Sequence, residues 1–127
     1  MPPRRPKPST AELEILRVLW RRGPSTVHEI QPEIERGSRV GYTTVLKLLQ
    51  IMFEKGLVTR NDSSRPHVFK AAVAEGQVKK RLLTELVDQV FDGSTMSLVM
   101  HTLSAKPATP EEVRQLRQLL DEIEGGK

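Results

Sequence analysis

The stretch YTTVLKLLQIMFEKGLV, residues 42–58, decides how the first half of the chain is interpreted. Its apolar residues recur at the i, i+3, i+4, i+7, i+8 spacing of an amphipathic helix. They are Val45, Leu48, Leu49, Met52 and Phe53. Gly41 can serve as the N-cap, and Gly56 marks the C-terminus. The spacing predicts a helix whose apolar stripe faces the core and whose outward side carries Tyr42, Thr43, Thr44, Lys47 and Gln50.

Two further helices are predicted upstream of this stretch. Ser9 and Glu12 have the spacing of a capping box and precede an apolar stripe of helical period. Thr26 and Glu29 repeat that spacing before a second stripe that continues until residue 37. Pro32 lies inside the second helix, where a proline removes a backbone hydrogen bond at a cost of about 3 kcal/mol. A kink or a late start is therefore expected there.

Downstream of residue 56 the pattern changes to that of two short strands. The segments LVTR (57–60) and HVFK (67–70) flank the turn-rich NDSSRP (61–66). The resulting order of three helices and a hairpin is that of a winged helix, whose third helix is presented outward with the hairpin beside it.

The remainder of the chain is predicted to be helical, which makes the fold class mainly α. Thr109, Pro110 and Glu112 form a strong helix start, with an N-cap, a proline at the first helical position and a glutamate two residues further on. Three helices of this kind, with no sheet to cover them, have more apolar face than they can bury alone. A second copy of the chain is therefore expected to cover them.

Charge is divided unequally along the chain. Residues 1–72 carry 13 Lys and Arg against 7 Asp and Glu, a net charge of +6, whereas residues 73–127 carry 7 against 9, a net charge of −2; together they give the formal +4. This division suggests that only the first half meets a polyanion. The expected phosphate contacts are Arg4, Arg5 and Lys7 in a flexible proline-rich arm (residues 1–8), and Arg60, Arg65 and His67 in the hairpin.

The polar face of the third helix has two interpretations at this stage. Hydroxyls and lysine suit phosphates, and Gln and Thr can reach base edges in the major groove. Exposed helix faces are as often simply solvated, and periodicity does not decide between the two. A winged helix can also be a protein-interaction module, or part of a ligand- or metal-responsive regulator.

Several other classes of protein are not expected. The chain has no cysteine, which excludes disulfides and thiolate metal sites. No apolar run approaches the roughly 18 to 20 residues of a membrane span, so a cytoplasmic location is expected. The three histidines fall in different elements, and no catalytic motif is present, so neither a metal, a cofactor nor an enzymatic activity is expected.

Seven sequence blocks together carry a resemblance to a known family. They are AELEILRVLW (11–20), STVHEI (25–30), YTTVLKLLQ (42–50), EKGLVTR (54–60), LVDQVFDGS (86–94), SLVMHTL (97–103) and PEEVRQLRQLLDEIE (110–124). In this order and spacing they resemble the BlaI/MecI/CopY family of bacterial transcriptional repressors, the penicillinase repressors and their relatives.

The resemblance implies a homodimer that binds a palindromic DNA operator. Residues 9–73 would form the winged-helix DNA-binding domain, and residues 74–127 the helical dimerisation domain. The family's recognition-helix positions fall on Tyr42, Thr43, Thr44, Lys47 and Gln50. The dimerisation helices place the following residues at the interface: Leu82, Leu86, Val90, Phe91, Leu98, Val99, Leu103, Val113, Leu116, Leu120 and Ile123.

The chain also departs from the family's pattern. Many relatives carry a basic residue at the position of Ile51. Copper-responsive members end in a cysteine cluster, whereas this chain ends EIEGGK, so release by copper is not implied. In the penicillinase branch, a membrane metalloprotease sensor cleaves the helix that corresponds to residues 97–103, which makes such a sensor a further partner implied by the resemblance.

Overall fold

The computed structural model describes residues 6–34 and 40–126. These residues form six helices and a two-stranded sheet in the order α1 (Thr10–Arg22), α2 (Val27–Ile34), α3 (Tyr42–Lys55), β1 (Val58–Asn61), β2 (Val68–Ala71), α4 (Glu75–Val90), α5 (Thr95–Ala105) and α6 (Pro110–Gly125). The order confirms the mainly α class, with a winged helix followed by helices. The chain divides into two compact units, Met1–Lys80 and Arg81–Lys127. The domain boundary after residue 73 stays a prediction.

The first two helices begin at the capping boxes that the sequence predicts. The Ser9 hydroxyl accepts from the Glu12 backbone N–H, and the Glu12 carboxylate accepts from the Ser9 N–H. Thr26 and Glu29 make the same reciprocal pair. Of the kink or late start expected for α2, the late start does not occur, because this second pair fixes the first turn and Pro32 falls in the second half of the helix. A kink at Pro32 stays a prediction. The end expected at residue 37 lies outside the described residues.

The core of the first unit is built around the apolar stripe of α3. Val45, Leu49 and Met52 are fully buried, together with Ile15 and Leu16 of α1, Ile30 of α2 and Phe69 of β2. Leu48 is half-buried against this cluster. The expectation that Phe53 lies in the core is wrong, since its side chain is 39% exposed. The helical period therefore places four of the five residues and misses the one at the edge of the stripe.

Hydrogen bonds join the hairpin and the residues just after it to the first helices. β1 and β2 pair antiparallel with Arg60 opposite Phe69. Ser25, in the link between α1 and α2, exchanges two backbone hydrogen bonds with Phe69, at 2.9 and 2.8 Å. The Trp20 indole N–H donates to the Val73 carbonyl at 3.0 Å. The sequence predicts the hairpin within one residue at each strand but gives no sign of the Ser25 bridge.

A buried ion pair fixes α1 to the end of α3. Lys55 Nζ donates to both carboxylate oxygens of Glu12, at 2.8 and 3.0 Å, and Glu12 is only 2% exposed. Burial raises the pKa of Glu12, but hydrogen bonds from Lys55 and from the Ser9 N–H, with the Lys55 charge, outweigh it and hold the pKa below its ordinary value. The pair aligns the carboxyl end of α3 with the amino end of α1.

The second unit consists of helix without a core of its own. None of the described residues 81–126 has a buried side chain. The Thr109 capping box with Glu112 starts α6 as predicted, and Ser94 caps α5 by accepting from the Ser97 N–H. Within the described ranges, no helix is both long and apolar enough to cross a bilayer.

Candidate nucleic-acid interface

The outward face of α3 consists of the polar residues that the sequence places there. The side chains of Tyr42, Thr43, Thr44, Lys47 and Gln50 are all exposed. Their exposure follows from the burial of Val45, Leu49 and Met52 on the other side of the same helix. Whether these five residues contact a nucleic acid stays a prediction.

The amino end of α3 lacks the capping side chains and acidic residues that are found at the amino ends of the other described helices. Gly41 is its N-cap and supplies no side-chain hydrogen bond, and its first turn contains no acidic residue. Of the six helices that the structure describes, the other five have a side-chain cap, an acidic first turn or both. The backbone N–H groups of the first turn of α3 therefore present a partial positive charge with no competing carboxylate.

The basic residues of the first unit differ in how they are engaged. Arg21 and Arg22 pair with Glu33 and Glu29 of α2. Lys47, by contrast, has no acidic partner among the described residues and is exposed. A lysine without a carboxylate beside it does not have to break an ion pair before it binds a phosphate.

The hairpin carries its basic groups in a connected cluster. Arg60 Nε donates to Asp62 Oδ1 at 2.5 Å, and the Arg60 guanidinium carbon lies 4.5 Å from the centre of the exposed Phe53 ring. The Arg60 hydrogen bond lowers the pKa of Asp62, against a smaller effect of burial and with help from the charges of Arg60 and Arg65. At the tip, Arg65 Nη1 donates to His67 Nε2. The structure thus links Arg60 to α3 and Arg65 to His67.

Two residues of α2 support the amino end of α3, and the sequence analysis missed both. The His28 ring lies 4.7 Å from the Tyr42 ring, at an interplanar angle of 39°. The Gln31 side-chain amide donates to the Val40 carbonyl at 3.1 Å. His28 and Gln31 are one helical turn apart, so they share a face of α2. That spacing is the only sequence feature that relates the two residues, and it does not predict their contacts with Tyr42 and Val40.

The remaining predicted phosphate contacts belong to the amino-terminal arm. Arg4 and Arg5 lie outside the described residues, and Lys7 is exposed. Whether the arm contacts DNA stays a prediction. Ile51 is 36% exposed on α3.

The structure offers no grouping typical of a metal centre. Within residues 6–34 and 40–126, no three His, Asp or Glu side chains are close enough together to hold an ion. His101 Nδ1 donates to the Ser97 carbonyl of its own helix at 2.8 Å, while His28 and His67 contact Tyr42 and Arg65. Each described histidine therefore has a different local partner.

A helix-turn-helix followed by a hairpin, with an open polar face on the third helix, defines a winged-helix protein of the DNA-binding type. Comparison with known proteins then gives the family. The model of the penicillinase repressor family matches residues 8–122, and the chain belongs to this family. The BlaI/MecI resemblance is thereby confirmed.

Individual relatives are distant but match over almost their full length. The chain is 22% identical to the penicillinase repressor of Staphylococcus aureus over 115 residues, 91% of each chain. It is 24% identical to the penicillinase repressor of Bacillus licheniformis over 122 residues, 96% of this chain and 95% of the relative. It is 27% identical to the transcriptional regulator BlaI of Mycobacterium tuberculosis over 117 residues, 91% and 83%. These relatives are named as regulators, not as enzymes.

Two solved structures are similar to this one. The DNA-binding domain of the repressor BlaI matches with a TM-score of 0.50 and 25% identity, over 57% of this chain and 88% of that domain. A MarR-family transcriptional regulator from Silicibacter pomeroyi matches with a TM-score of 0.51 and 21% identity, over 94% of this chain and 71% of the regulator. The second match supports the fold alone.

Proposed function

We propose that this chain is a sequence-specific transcriptional repressor that binds a palindromic operator as a homodimer. One observation carries the proposal: the amino end of α3 has neither a side-chain cap nor an acidic residue, and the exposed face behind it contains Lys47, which has no acidic partner in the part of the chain that the structure describes. A helix terminus of this kind attracts phosphate, while the adjoining side chains can enter the major groove.

The residues of α3 contact different parts of the DNA. Backbone N–H groups at its amino end and Lys47 bind phosphates and set the register of the helix on the duplex. Thr43, Thr44 and Gln50 lie on the same exposed face and meet base edges, where amides and hydroxyls distinguish one base pair from another. Tyr42 is held by His28 and orients the first turn.

The hairpin and the arm add contacts that do not depend on DNA sequence. Arg65 at the hairpin tip binds the backbone beside α3, and Arg4, Arg5 and Lys7 extend the basic surface. Arg60 contributes less than its charge suggests, because it is engaged with Asp62 and with the Phe53 ring. Affinity is expected to come mainly from Lys47 and Arg65.

The second unit holds two copies together. Its described side chains include no buried residue, and the exposed apolar groups of α6 include Leu120 at 61% and Ile123 at 66%. A cleft of about 530 Å³ between α5 and α6 is lined by Leu103, Leu116 and Leu119, among others. Helices with this much apolar surface become stable when a symmetric partner covers it.

Release from the operator is proposed to follow the penicillinase branch of the family. The corresponding segment, residues 97–103, is part of α5, whose exposed residues include Met96 and Met100. Cleavage there by a membrane sensor metalloprotease would remove the dimer contacts while leaving the winged helix intact. A repressor acts on the chromosome, so a cytoplasmic location belongs to the same proposal.

The proposal is tested with the intergenic DNA next to the protein's own coding region. Lys47→Ala is expected to weaken binding and to reduce the slope of log K against log salt by about 0.9, the contribution of one phosphate contact. Lys79→Ala is the matched control, because Lys79 is an exposed lysine that pairs with Glu75 on α4. Fluorescence anisotropy across a salt series measures both slopes. Equal salt slopes in the two variants would show that Lys47 does not contact a DNA phosphate.

A further inference from the structure

The tip of the hairpin contains four groups that carry or can carry charge. They are Arg60 on β1, Asp62 and Arg65 in the turn, and His67 just before β2. Asp62 receives the Arg60 hydrogen bond, which leaves Arg65 and His67 as a second pair. From the sequence alone, Arg65 and His67 are predicted to be two separate phosphate contacts. Their direct contact suggests instead that one of the two residues positions the other.

The chemistry of arginine fixes the protonation of His67 in this arrangement. A guanidinium has five N–H donors, no acceptor, and does not deprotonate in proteins. The hydrogen bond between Arg65 Nη1 and His67 Nε2 therefore requires an unprotonated Nε2. With Nε2 accepting this bond, the ring proton is assigned to Nδ1, and Nε2 has no N–H to offer to a phosphate.

We infer that His67 is a positioning residue of the hairpin: its neutral Nε2 holds the Arg65 guanidinium, and Arg65 makes the contact with the DNA backbone. Only one of the five donors of Arg65 is used by His67, so the others stay available for phosphate oxygens. A long side chain that is ordered before binding loses less conformational entropy when it binds. This inference rests on the proposed DNA-binding function and assigns His67 a role within it.

The same nitrogen has an alternative partner in Asp62. His67 Nε2 lies 3.9 Å from Asp62 Oδ1, too far for a hydrogen bond, and in the neutral state both atoms are acceptors. A protonated Nε2 could donate to Asp62 but could no longer accept from Arg65. Asp62 would then be shared between His67 and Arg60, and Arg65 would lose its support. The hairpin thus has two hydrogen-bonding states that differ by one proton.

Substitutions at residue 67 separate a positioning role from a direct contact. His67→Gln keeps a neutral acceptor at nearly the same distance from the backbone, whereas His67→Lys supplies a cation that cannot accept. If His67 positions Arg65, the dissociation constant rises roughly three- to tenfold in His67→Ala and in His67→Lys, the factor that corresponds to immobilising one long side chain. His67→Gln recovers most of that loss. Tighter binding by His67→Lys than by the wild type would overturn the inference.

The Arg65→Ala background provides the second test. A residue that acts through Arg65 has no effect once Arg65 is gone, so His67→Ala is expected to change affinity less than twofold in that background. The salt slope is a further discriminator, because Arg65→Ala removes a phosphate contact and His67→Ala does not. A full His67→Ala effect without Arg65, or a reduced salt slope in His67→Ala alone, would indicate a direct contact.

The pH dependence gives a readout that a purely structural role would not produce. Histidine ordinarily titrates between pH 5 and 8, so the affinity ratio of wild type to His67→Gln is expected to fall as the pH is lowered from 8 to 6. Using a ratio cancels effects of pH that arise elsewhere in the protein, because both proteins share them. A ratio that stays constant over this range would contradict the exchange of partners at Nε2.

A measurement on the free protein separates failure of this inference from failure of the proposed function. Long-range ¹⁵N–¹H NMR spectra at pH 8 are expected to show His67 as the Nδ1–H tautomer, and Arg65→Ala is expected to remove that preference. If no DNA fragment binds but the tautomer is as described, the proposed function fails and the hairpin arrangement stands. If DNA binds and His67 carries its proton on Nε2, the positioning role is wrong.

Discussion

At the scale of single residues, the pair Glu12 and Lys55 is the most consequential contact in the winged helix. Glu12 belongs to the capping box of α1 and also receives both hydrogen bonds from Lys55 at the end of α3. Its side chain is almost completely buried, whereas that of Lys55 is 29% exposed. Removal of the carboxylate would therefore leave a lysine that can still turn to water, which limits the cost below that of an isolated buried charge.

We expect Glu12→Gln to lower the free energy of unfolding of the first unit by about 1–3 kcal/mol, since it weakens a charge-assisted hydrogen-bond pair. Trp20 is the only tryptophan of the chain and donates to Val73, so its fluorescence during urea unfolding reports on this unit. Glu14→Gln, on the same helix, is the matched control and should change the unfolding free energy by less than about 0.5 kcal/mol. Equal effects of the two variants would show that the ion pair contributes nothing.

The same pair predicts a pH dependence with a definite sign. The folded pKa of Glu12 lies below the ordinary glutamate value of 4.5, so the unfolded state binds its proton first as the pH falls. The stabilisation is present above pH 4.5 and is lost as the pH falls through the folded pKa. Glu29 and Asp62 also have lowered pKa values. The difference in unfolding free energy between the wild type and Glu12→Gln therefore isolates the contribution of Glu12. That difference should shrink on acidification.

Phe53 and Arg60 show where local sequence information ends at this scale. A helical period assigns Phe53 to the apolar stripe, but the ring is at the edge of the stripe and lies against the Arg60 guanidinium instead. Arg60 belongs to the next strand, and the helical period of α3 carries no information about how that strand is paired. The exposed polar residues of the same helix are predictable because their position depends only on where the buried stripe lies.

At the scale of elements, the amino end of α3 lacks the side-chain cap that would stabilise it. Gly41 has an extended backbone, with φ −78° and ψ 170°, that any residue can adopt, and a Cβ added there would meet no atom within 4 Å. A side-chain cap would therefore fit. Its omission is consistent with a terminus that is kept open for a phosphate.

If the terminus is open for a phosphate, an acidic cap should change stability and DNA affinity in opposite directions. Gly41→Asn should stabilise α3 by a few tenths of a kcal/mol as a better cap. Gly41→Asp should add about 0.3–1 kcal/mol by complementing the helix dipole, yet should bind DNA more weakly than the Asn variant, because its carboxylate repels phosphate. Urea unfolding and anisotropy measure the two effects. An Asp variant with the affinity of the Asn variant would place this terminus away from the backbone of the duplex.

The predictability of the elements follows from how local their signals are. The starts of α1, α2 and α6 are given by capping boxes that span four residues, and the structure reproduces all three. The contacts that arrange these elements are not local. Ser25 pairs with Phe69, and Gln31 with Val40, through contacts that form only when the elements pack together. The sequence therefore predicts the helices and the hairpin better than the way they support the candidate interface.

At the scale of the whole molecule, the two units have different requirements for stability. The first contains a closed apolar cluster with Phe69 and Leu49 at its centre, so it can remain folded as a monomer. The second has no buried side chain among residues 81–126, and we propose that it depends on a second copy. Dimerisation and folding of the first unit should therefore be separable.

A double substitution on α6 tests that separation. Leu116→Glu with Leu120→Glu places two carboxylates on the exposed apolar face and should give monomers in sedimentation velocity. Operator affinity should fall about 100-fold or more, because a dimer binds its second half-site at a high effective concentration, about 34 Å along the duplex. Trp20 fluorescence should be unchanged, since the first unit keeps its own core.

The charge change in that variant has a matched control on the same helix. Two Leu→Glu substitutions lower the net charge by two, and Arg117→Glu alone lowers it by the same amount at an exposed position. Loss of affinity through general repulsion from DNA would affect both variants equally, whereas loss of the dimer would affect only the double variant. Persistence of the dimer in the double variant would show that the α6 face is not the contact between copies, and the second unit would then need another way to bury its apolar surface.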